Sequence, residues 1–355
     1  MNMNTAFCSR MRTRMKAFCA LAASVALAFS LAGCASSQAS SPATNSATDN
    51  DLEKVTFVLD YTPNTNHTGI YAARDLGYYE EVGIEIDIMQ PPEDGADALV
   101  ASGRAQFGIS FEDVMANYLG STDPLPVTAI AAIIQHNTSG IISRADANIT
   151  RAGEMNGHSY ATWDQAVEQA IVRTVVNGDG GDFSTIELVP AGTSDEVSGL
   201  QTGQFESSWC YEAWALQNAL VQDVPVNYFS FRDMDERFDF YTPVIITNDE
   251  LIANDPDLIA RFLEATAKGY AYAAENPDEA AELLVTAVPE IDPDLALASQ
   301  RYLSSRYTDD APYWGYIDPT RWNAFYTWMN DEQLTETPLP LDTAFTNEFL
   351  PGAEQ

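Results

Sequence analysis

From Leu52 onward the chain alternates short apolar runs of strand length with segments of helical period. VTFVL (55–59) reads as a strand, and Ile70 to Leu76 opens a helix. IEIDIM is the next strand, ADALVAS a helix, QFGIS a strand, Val114 to Leu119 a helix, and VTAIAAII a strand. After HNTSGIIS the alternation restarts. Strand HSYAT precedes a helix over Gln165 to Val176, strand TIELV a helix over Ser194 to Gln201, and strand FESSW a helix over Tyr211 to Val221; VNYFSF is the last strand. This spacing predicts βαβ units, mainly parallel sheets and covered sheet faces. Two such halves predict two lobes with a cleft between them. The apolar extended runs SGIIS and TPVIIT are the expected crossovers. The last hundred residues predict helices instead. Asp255-Pro256, Asn276-Pro277, Asp292-Pro293 and Asp318-Pro319 each set a capping side chain before a proline, at a helical position where a missing N–H costs nothing. Glu279 is placed to complete a capping box with Asn276.

The first residues follow a different pattern. Arg10, Arg12, Arg14 and Lys16 precede an apolar run, Ala17 to Ala32, that is too short and alanine-rich for a comfortable membrane span. It ends in Leu31-Ala32-Gly33-Cys34, the pattern of a lipoprotein signal. Residues 1–33 are expected to be removed and Cys34 to carry lipid, which holds the protein on the extracytoplasmic face of the cell membrane. The stretch 34–52 is rich in Ser, Ala, Thr and Asn and predicts a flexible tether. Cys8 and Cys19 leave with the leader, so Cys210 alone remains in the folded part and no internal disulfide is expected. The leader holds four of the 17 basic residues and no acidic one. The remainder therefore sets 13 basic against 52 acidic residues, a net charge of −39. Nucleic acid and anionic membrane surfaces are repelled as partners, and the lipid must do the anchoring.

Ligands of parallel α/β sheets sit beyond the carboxyl ends of strands. Four such ends are chemically unusual. Asp60 to Gly69 packs carboxylate, amide, hydroxyl and imidazole side chains into more residues than a single turn requires. SFEDV (110–114) offers Glu112 toward the cleft and Asp113 as a helix cap. ATWDQ (161–165) brings Trp163 to a strand end. SSWCYEAW (207–214) clusters Trp209, Tyr211 and Trp214 with Glu212, and Trp214 is assigned to packing. Aromatic faces with carboxylates at their edge suit a flat, neutral or weakly basic heteroaromatic ligand with amino donors. An anionic ligand would be repelled by Asp60, Glu112 and Glu212. Enzymatic patterns are absent. The three histidines, His67, His136 and His158, form no pair at metal spacing, and there is no G-x-S-x-G, P-loop or dinucleotide fingerprint. No metal, cofactor or catalytic group is expected.

LDYTPNTNHTGIYAARDLGYY, with LVASGRAQFGIS, AAIIQHNTSG, WCYEAW, YTPVIIT, ATAKGYAYAAENP and AFTNEFLP, resembles the thiamine-pyrimidine-precursor binding proteins of the NMT1/THI5-like group, solute-binding components of ABC importers. The likeness covers nearly all of residues 53–351. It implies an α/β, type II periplasmic-binding-protein fold with two Rossmann-like lobes joined by two crossover strands. Lobe 1 would take 53–138 and 246–351, and lobe 2 would take 139–245. It further implies a 4-aminopyrimidine ligand, such as formylaminopyrimidine or hydroxymethylpyrimidine, and a permease with its ATPase as partners. Carried over by position, Tyr61, Trp163 and Tyr211 would stack on the ring, and Asp60, Asn64, Glu112 and Glu212 would hydrogen-bond its nitrogens. His67, Asn137, Trp209 and Tyr241 complete the ligand-facing set. Tyr61 stands where the family usually has Trp. Related binding proteins take sulfonates, nitrate or other small solutes, which leaves a second ligand class open. Pyrimidine synthases of the same family carry a cysteine-rich motif and an active-site lysine. Here the corresponding stretches read FDFYTPV and YTPNTNHTG, with neither.

Overall fold

The computed structural model describes residues 52–93, 95–191 and 195–353. The expected leader, Cys34 and the tether as far as residue 51 lie outside the described residues.

In chain order the strands are β1 (Glu53–Val58), β2 (Ile84–Met89), β3 (Phe107–Ser110), β4 (Val127–Ala132), β5 (Ser139–Arg144), β6 (Ser159–Thr162), β7 (Glu187–Pro190), β8 (Ser207–Tyr211), β9 (Val226–Ser230) and β10 (Val244–Asn248). They form two five-stranded sheets, ordered β2-β1-β3-β10-β4 and β7-β6-β8-β5-β9. The first sheet carries helices α1 (Thr68–Asp75), α2 (Tyr78–Glu81), α3 (Gly95–Ala101) and α4 (Glu112–Leu119). The second carries α5 (Ala166–Gly178), α6 (Glu196–Thr202), α7 (Gln217–Val221) and α8 (Phe231–Met234). After β10 come α9 (Asp249–Asn254), α10 (Pro256–Glu275), α11 (Pro277–Ala287), α12 (Pro293–Leu303) and α13 (Pro319–Asp331). Among the described residues, no helix is long and apolar enough to cross a membrane.

The sheets are mixed rather than mainly parallel. β1 pairs parallel with β2 and β3, and β6 with β7 and β8. β10 runs antiparallel to β3 and β4, and β5 runs antiparallel to β8 and β9. The reason corrects the expected crossovers. SGIIS is β5 and VIIT lies in β10; each is the strand that receives a crossing chain, and each runs against its neighbours because it enters from the other lobe. The crossing segments themselves are 133–138 and 239–243. They are tied together by Ile133 N–H donating to Pro243 O at 3.1 Å and Asn137 Nδ2 donating to Phe238 O at 2.8 Å.

The central strands are buried on both faces, as β3 and β10 are at every position, because helices cover both sides of each sheet. In lobe 1, Phe57 and Phe107 stack on Phe262 of α10, with the Phe107 and Phe262 centroids 3.8 Å apart. α10 crosses α1 so closely that a Cβ on Gly269 would stand 2.0 Å from the Gly69 carbonyl oxygen. Only paired glycines allow that approach, and it fixes where α1 begins. The four proline-headed helices form as predicted, but their caps differ. Asp255, Asp292 and Asp318 accept from first-turn amides. Asn276 does not, and no capping box forms with Glu279. Its amide donates back to Tyr272 O at 3.1 Å instead. The chain finally returns to β4, where Ala129 exchanges backbone bonds of 2.9 Å with Ala344 and Thr346 and the open sheet edge is covered.

Candidate functional site

The polar stretch after β1 spends most of its side chains on itself. Asn64 caps a short 3-10 turn (Thr65–His67), its Oδ1 accepting from Asn66 N–H at 2.9 Å. Asn64 N–H donates to His67 Nδ1 at 3.1 Å, and His67 Nε2 lies 2.7 Å from Asp60 Oδ1. A backbone N–H can only donate, so Nδ1 is the bare nitrogen and Nε2 carries the proton given to Asp60. His67 is fully buried while the Asp60 side chain keeps 9% of its surface. His67 thus orients Asp60 from behind, and Asn64 holds His67. Tyr61 stands 51% exposed at the rim.

At the end of β3, α4 begins at Glu112 rather than after it, and its N-cap position is Phe111. Asp113 therefore sits in the first turn and does not cap. Glu112 is fully buried. Its Oε2 accepts from Tyr241 N–H at 2.8 Å, its own N–H donates to Tyr241 O at 3.0 Å, and its Oε1 has no partner. Burial holds its carboxyl well above the ordinary range. Burial also pushes the Asp113 carboxyl up to about 6.

In lobe 2, Glu168 shapes the end of β6. Its carboxylate accepts from the Tyr160 and Thr162 hydroxyls at 2.7 and 2.9 Å and from the Trp163 and Gln165 amides. Trp163 is thereby held half-buried beside Trp209, with ring centroids 5.5 Å apart. Trp209 continues inward to Phe231 at 4.2 Å and is 3% exposed, so it backs Trp163 from the core. Tyr211 is the last residue of β8, not the first of a helix. A π-turn over Glu212–Leu216 follows, with Glu212 N–H on Thr138 O at 2.8 Å.

The lobes meet at Tyr211. Burial and then the carboxylates of Asp113, Asp60 and Glu196 raise its hydroxyl above the ordinary range, while the neighbouring Thr242 hydroxyl opposes the rise. Groups from the ends of β1, β3, β7 and β8 thus converge. Glu212 lies beside Tyr302 on α12, whose hydroxyl is raised by burial first and then by the Glu212 carboxylate. Asn137 and Tyr241 serve the crossovers. Asn137 Oδ1 accepts from Ser139 N–H and Oγ at 2.8 and 2.7 Å, and its N–H donates to Asp239 at 2.9 Å. The Tyr241 hydroxyl accepts from Asp318 N–H at 2.8 Å. Three further groups lie around Tyr211: Asp113, which the sequence offered as a cap, and Glu196 and Thr242, which it did not offer. Glu196 was within reach of the strand-end rule, since it follows β7; burial pushes its carboxyl up to about 7. Grooves of about 400 and 500 Å³ lie elsewhere, beside Arg144 and Val226 and beside Arg237 and Thr320, away from all these side chains.

Comparison with known proteins gives the family and the fold. The chain is 27% identical over 310 residues to a formylaminopyrimidine-binding protein of Halalkalibacterium halodurans, covering 84% of this chain and 91% of the relative. It is 26% identical to the riboflavin-binding protein RibY of Chloroflexus aurantiacus, covering 85% and 87%. It is 22% identical to a 4-amino-5-hydroxymethyl-2-methylpyrimidine phosphate synthase of Legionella pneumophila, covering 84% and 92%. The alkanesulfonate-binding protein SsuA from Xanthomonas axonopodis pv. citri superposes with a TM-score of 0.63 at 9% identity, over 83% of this chain and 99% of that one. The fold is therefore the two-lobed α/β fold of periplasmic binding proteins. The NMT1/THI5-like family model matches residues 64–280, and the chain belongs to that family.

Proposed function

We propose that this protein is the extracytoplasmic solute-binding component of an ABC importer and that its ligand is a thiamine-precursor 4-aminopyrimidine, formylaminopyrimidine or its hydroxymethyl relative. The observation that carries the reading is the set of carboxylates from both lobes that act on Tyr211; Trp163, held beside Trp209 at the end of β6, offers a ring from lobe 2. A 4-aminopyrimidine offers a flat face to the rings and N–H donors to the carboxylates. The cleft acids disfavour sulfonates, nitrate and phosphorylated ligands on charge alone. Similarity to a formylaminopyrimidine-binding protein supports the same choice. The synthase reading lacks chemistry here, because the loop after β1 has no lysine and the stretch before β10 has no cysteine. We assign 53–138 with 244–351 to one lobe and 139–243 to the other, two residues from the expected 245/246 boundary because β10 lies whole in the first sheet, and lipid on Cys34 to the membrane anchor that presents them to a permease.

Calorimetric titration of the purified protein with formylaminopyrimidine tests the ligand. One site is expected, with a raised melting temperature on saturation. Asp60→Asn should weaken binding about tenfold, the loss of one charge-assisted hydrogen bond. Riboflavin binding without pyrimidine binding would move the assignment to a larger heteroaromatic. Consumption of pyridoxal phosphate with loss of a histidine side chain would replace transport by synthesis.

A further inference from the structure

Ser299, on α12, is fully buried, and its hydroxyl touches both lobes. Its Oγ meets the carbonyl oxygen of Ala213, in the π-turn after β8, and the hydroxyl of Thr65, in the turn beside His67. Valence assigns the protons. A carbonyl only accepts, so the proton of Ser299 goes to Ala213, and the Thr65 hydroxyl donates to Ser299 Oγ. Thr65 is itself fixed, since its carbonyl accepts from the Tyr307 hydroxyl at 3.0 Å.

An apolar contact accompanies this relay. Ala213 is 3% exposed and is buried in the lobe 1 cluster that includes Leu59, Ile70 and Tyr307. Trp214, the next residue, packs against the cluster formed by Tyr71 of α1, Leu284 of α11, and Ile291 and Ala296 near and on α12. The turn after Tyr211 and Glu212 is thus inserted, backbone and side chain, into the helices of the opposite lobe. Packing within a lobe holds whatever the lobes do. This packing exists only while they are together, and both of its ends adjoin cleft residues: Thr65 lies two positions from His67, and Ala213 two from Tyr211.

We propose that Ser299 and the Trp214 socket latch the cleft, acting as positioning residues that hold its two walls in register. Ligand affinity then depends on side chains of α12 and the π-turn that lie outside the cleft, because the apparent dissociation constant scales inversely with the latched fraction. The inference rests on the reading that the cleft binds a solute.

The test uses the full chain with nitroxide-bearing unnatural residues at exposed Glu85 on β2 and Glu187 on β7, read by pulsed electron paramagnetic resonance. Without ligand, Ser299→Ala and Trp214→Ala should broaden the inter-lobe distances toward longer values. Saturating formylaminopyrimidine should restore the narrow distribution, at roughly tenfold higher concentration than the parent protein needs, about 1.4 kcal/mol. Ile142→Val, a packing change confined to lobe 2, should lower the melting temperature without moving the distances. Trp214→Phe, which keeps an apolar ring in the socket, covers the case in which Trp214→Ala does not fold, and should give a smaller shift in the same direction. Unchanged distances with unchanged affinity in the Ser299 and Trp214 variants would overturn the latch. So would distance changes that Ile142→Val reproduces. A parent protein that ignores the pyrimidine while its variants still differ without ligand would overturn the ligand assignment and keep the latch.

Discussion

The cleft residues differ in what surrounds their carboxylates, and that difference is measurable. Asp60 has His67 donating to one oxygen, whereas Glu196 and Asp113 are held by burial with carboxyls near 7 and 6. A protonated carboxyl is a poorer acceptor for a ligand N–H. Binding should therefore strengthen as pH rises toward and through about 7, by at most about tenfold per unit for each proton released. Glu196→Gln should flatten the profile between about pH 6 and 8 and leave the weaker binding of the protonated form at every pH. Titrations at several pH values decide this. A profile identical in parent and variant would place Glu196 outside the ligand's reach. Glu212, which the family resemblance put on the ligand, also lies beside Tyr302 on α12, so its substitution bears on the inter-lobe contact as well.

At the scale of elements, the helix starts separate capping side chains that work from one that only looks right. Asp292 Oδ1 accepts from Asp294 and Leu295 amides at 2.9 and 3.0 Å. Asn276 occupies the same place before a proline and makes no such bond. Asp292→Ala should cost about 1 kcal/mol of stability, and Asn276→Ala less than half of that. Urea unfolding of the two variants checks the contrast, and equal losses would show that the bond to Tyr272 O does the work of a cap. The same distinction runs through the strands. VTFVL and IEIDIM form where their apolar content predicted. SGIIS and TPVIIT look no different in composition, yet they receive the crossing chain. The crossing segments that lead into them are held by partners far away in sequence, including Asp239 against His136 and Asn137.

For the molecule as a whole, several raised groups give pH one direction. Glu112, Asp113 and Glu196 have carboxyls above their unfolded values, so the stability of their protonated forms is present at acid pH and lost as pH rises through about 4 to 7. His136 is raised by its hydrogen bond to Asp239. It also faces Asp310 and Arg321, and its contribution is present below about 6.5 and lost as pH climbs through the raised value. Paired surface acids such as Asp278 and Asp235 work at the other end, losing their contribution below about pH 4. The melting temperature should peak near pH 5 and fall toward pH 8, and Asp239→Asn should remove part of the fall above pH 6. Residues 34–355 set 13 basic residues against 52 acidic ones, so salt that screens this repulsion should raise the melting temperature at pH 8. A melting temperature that climbs from pH 5 to 8 would contradict the assignment of these groups.

Local physics settled much of this protein in its sequence. Periodicity of two or 3.6 depends on neighbours a few residues away, so strands, helices and the proline-headed starts could be read directly, as could the strand ends where polar side chains gather. Tertiary structure decided which of those side chains remain for a ligand. Asn64, His67, Asn137 and Tyr241 were equally polar candidates, but their side-chain hydrogen-bonding groups are taken up by Asn66, by Asp60, by Ser139 and Phe238, and by Asp318. Trp209 went to the core, and Trp163 stayed at the edge because Glu168 holds its backbone there. Asp113, Glu196 and Thr242 come together around Tyr211 from three separate elements. A hydrogen-bonding group is satisfied once, by whichever partner the fold brings near. That choice is made across tens to hundreds of residues, a distance over which sequence pattern carries no geometry.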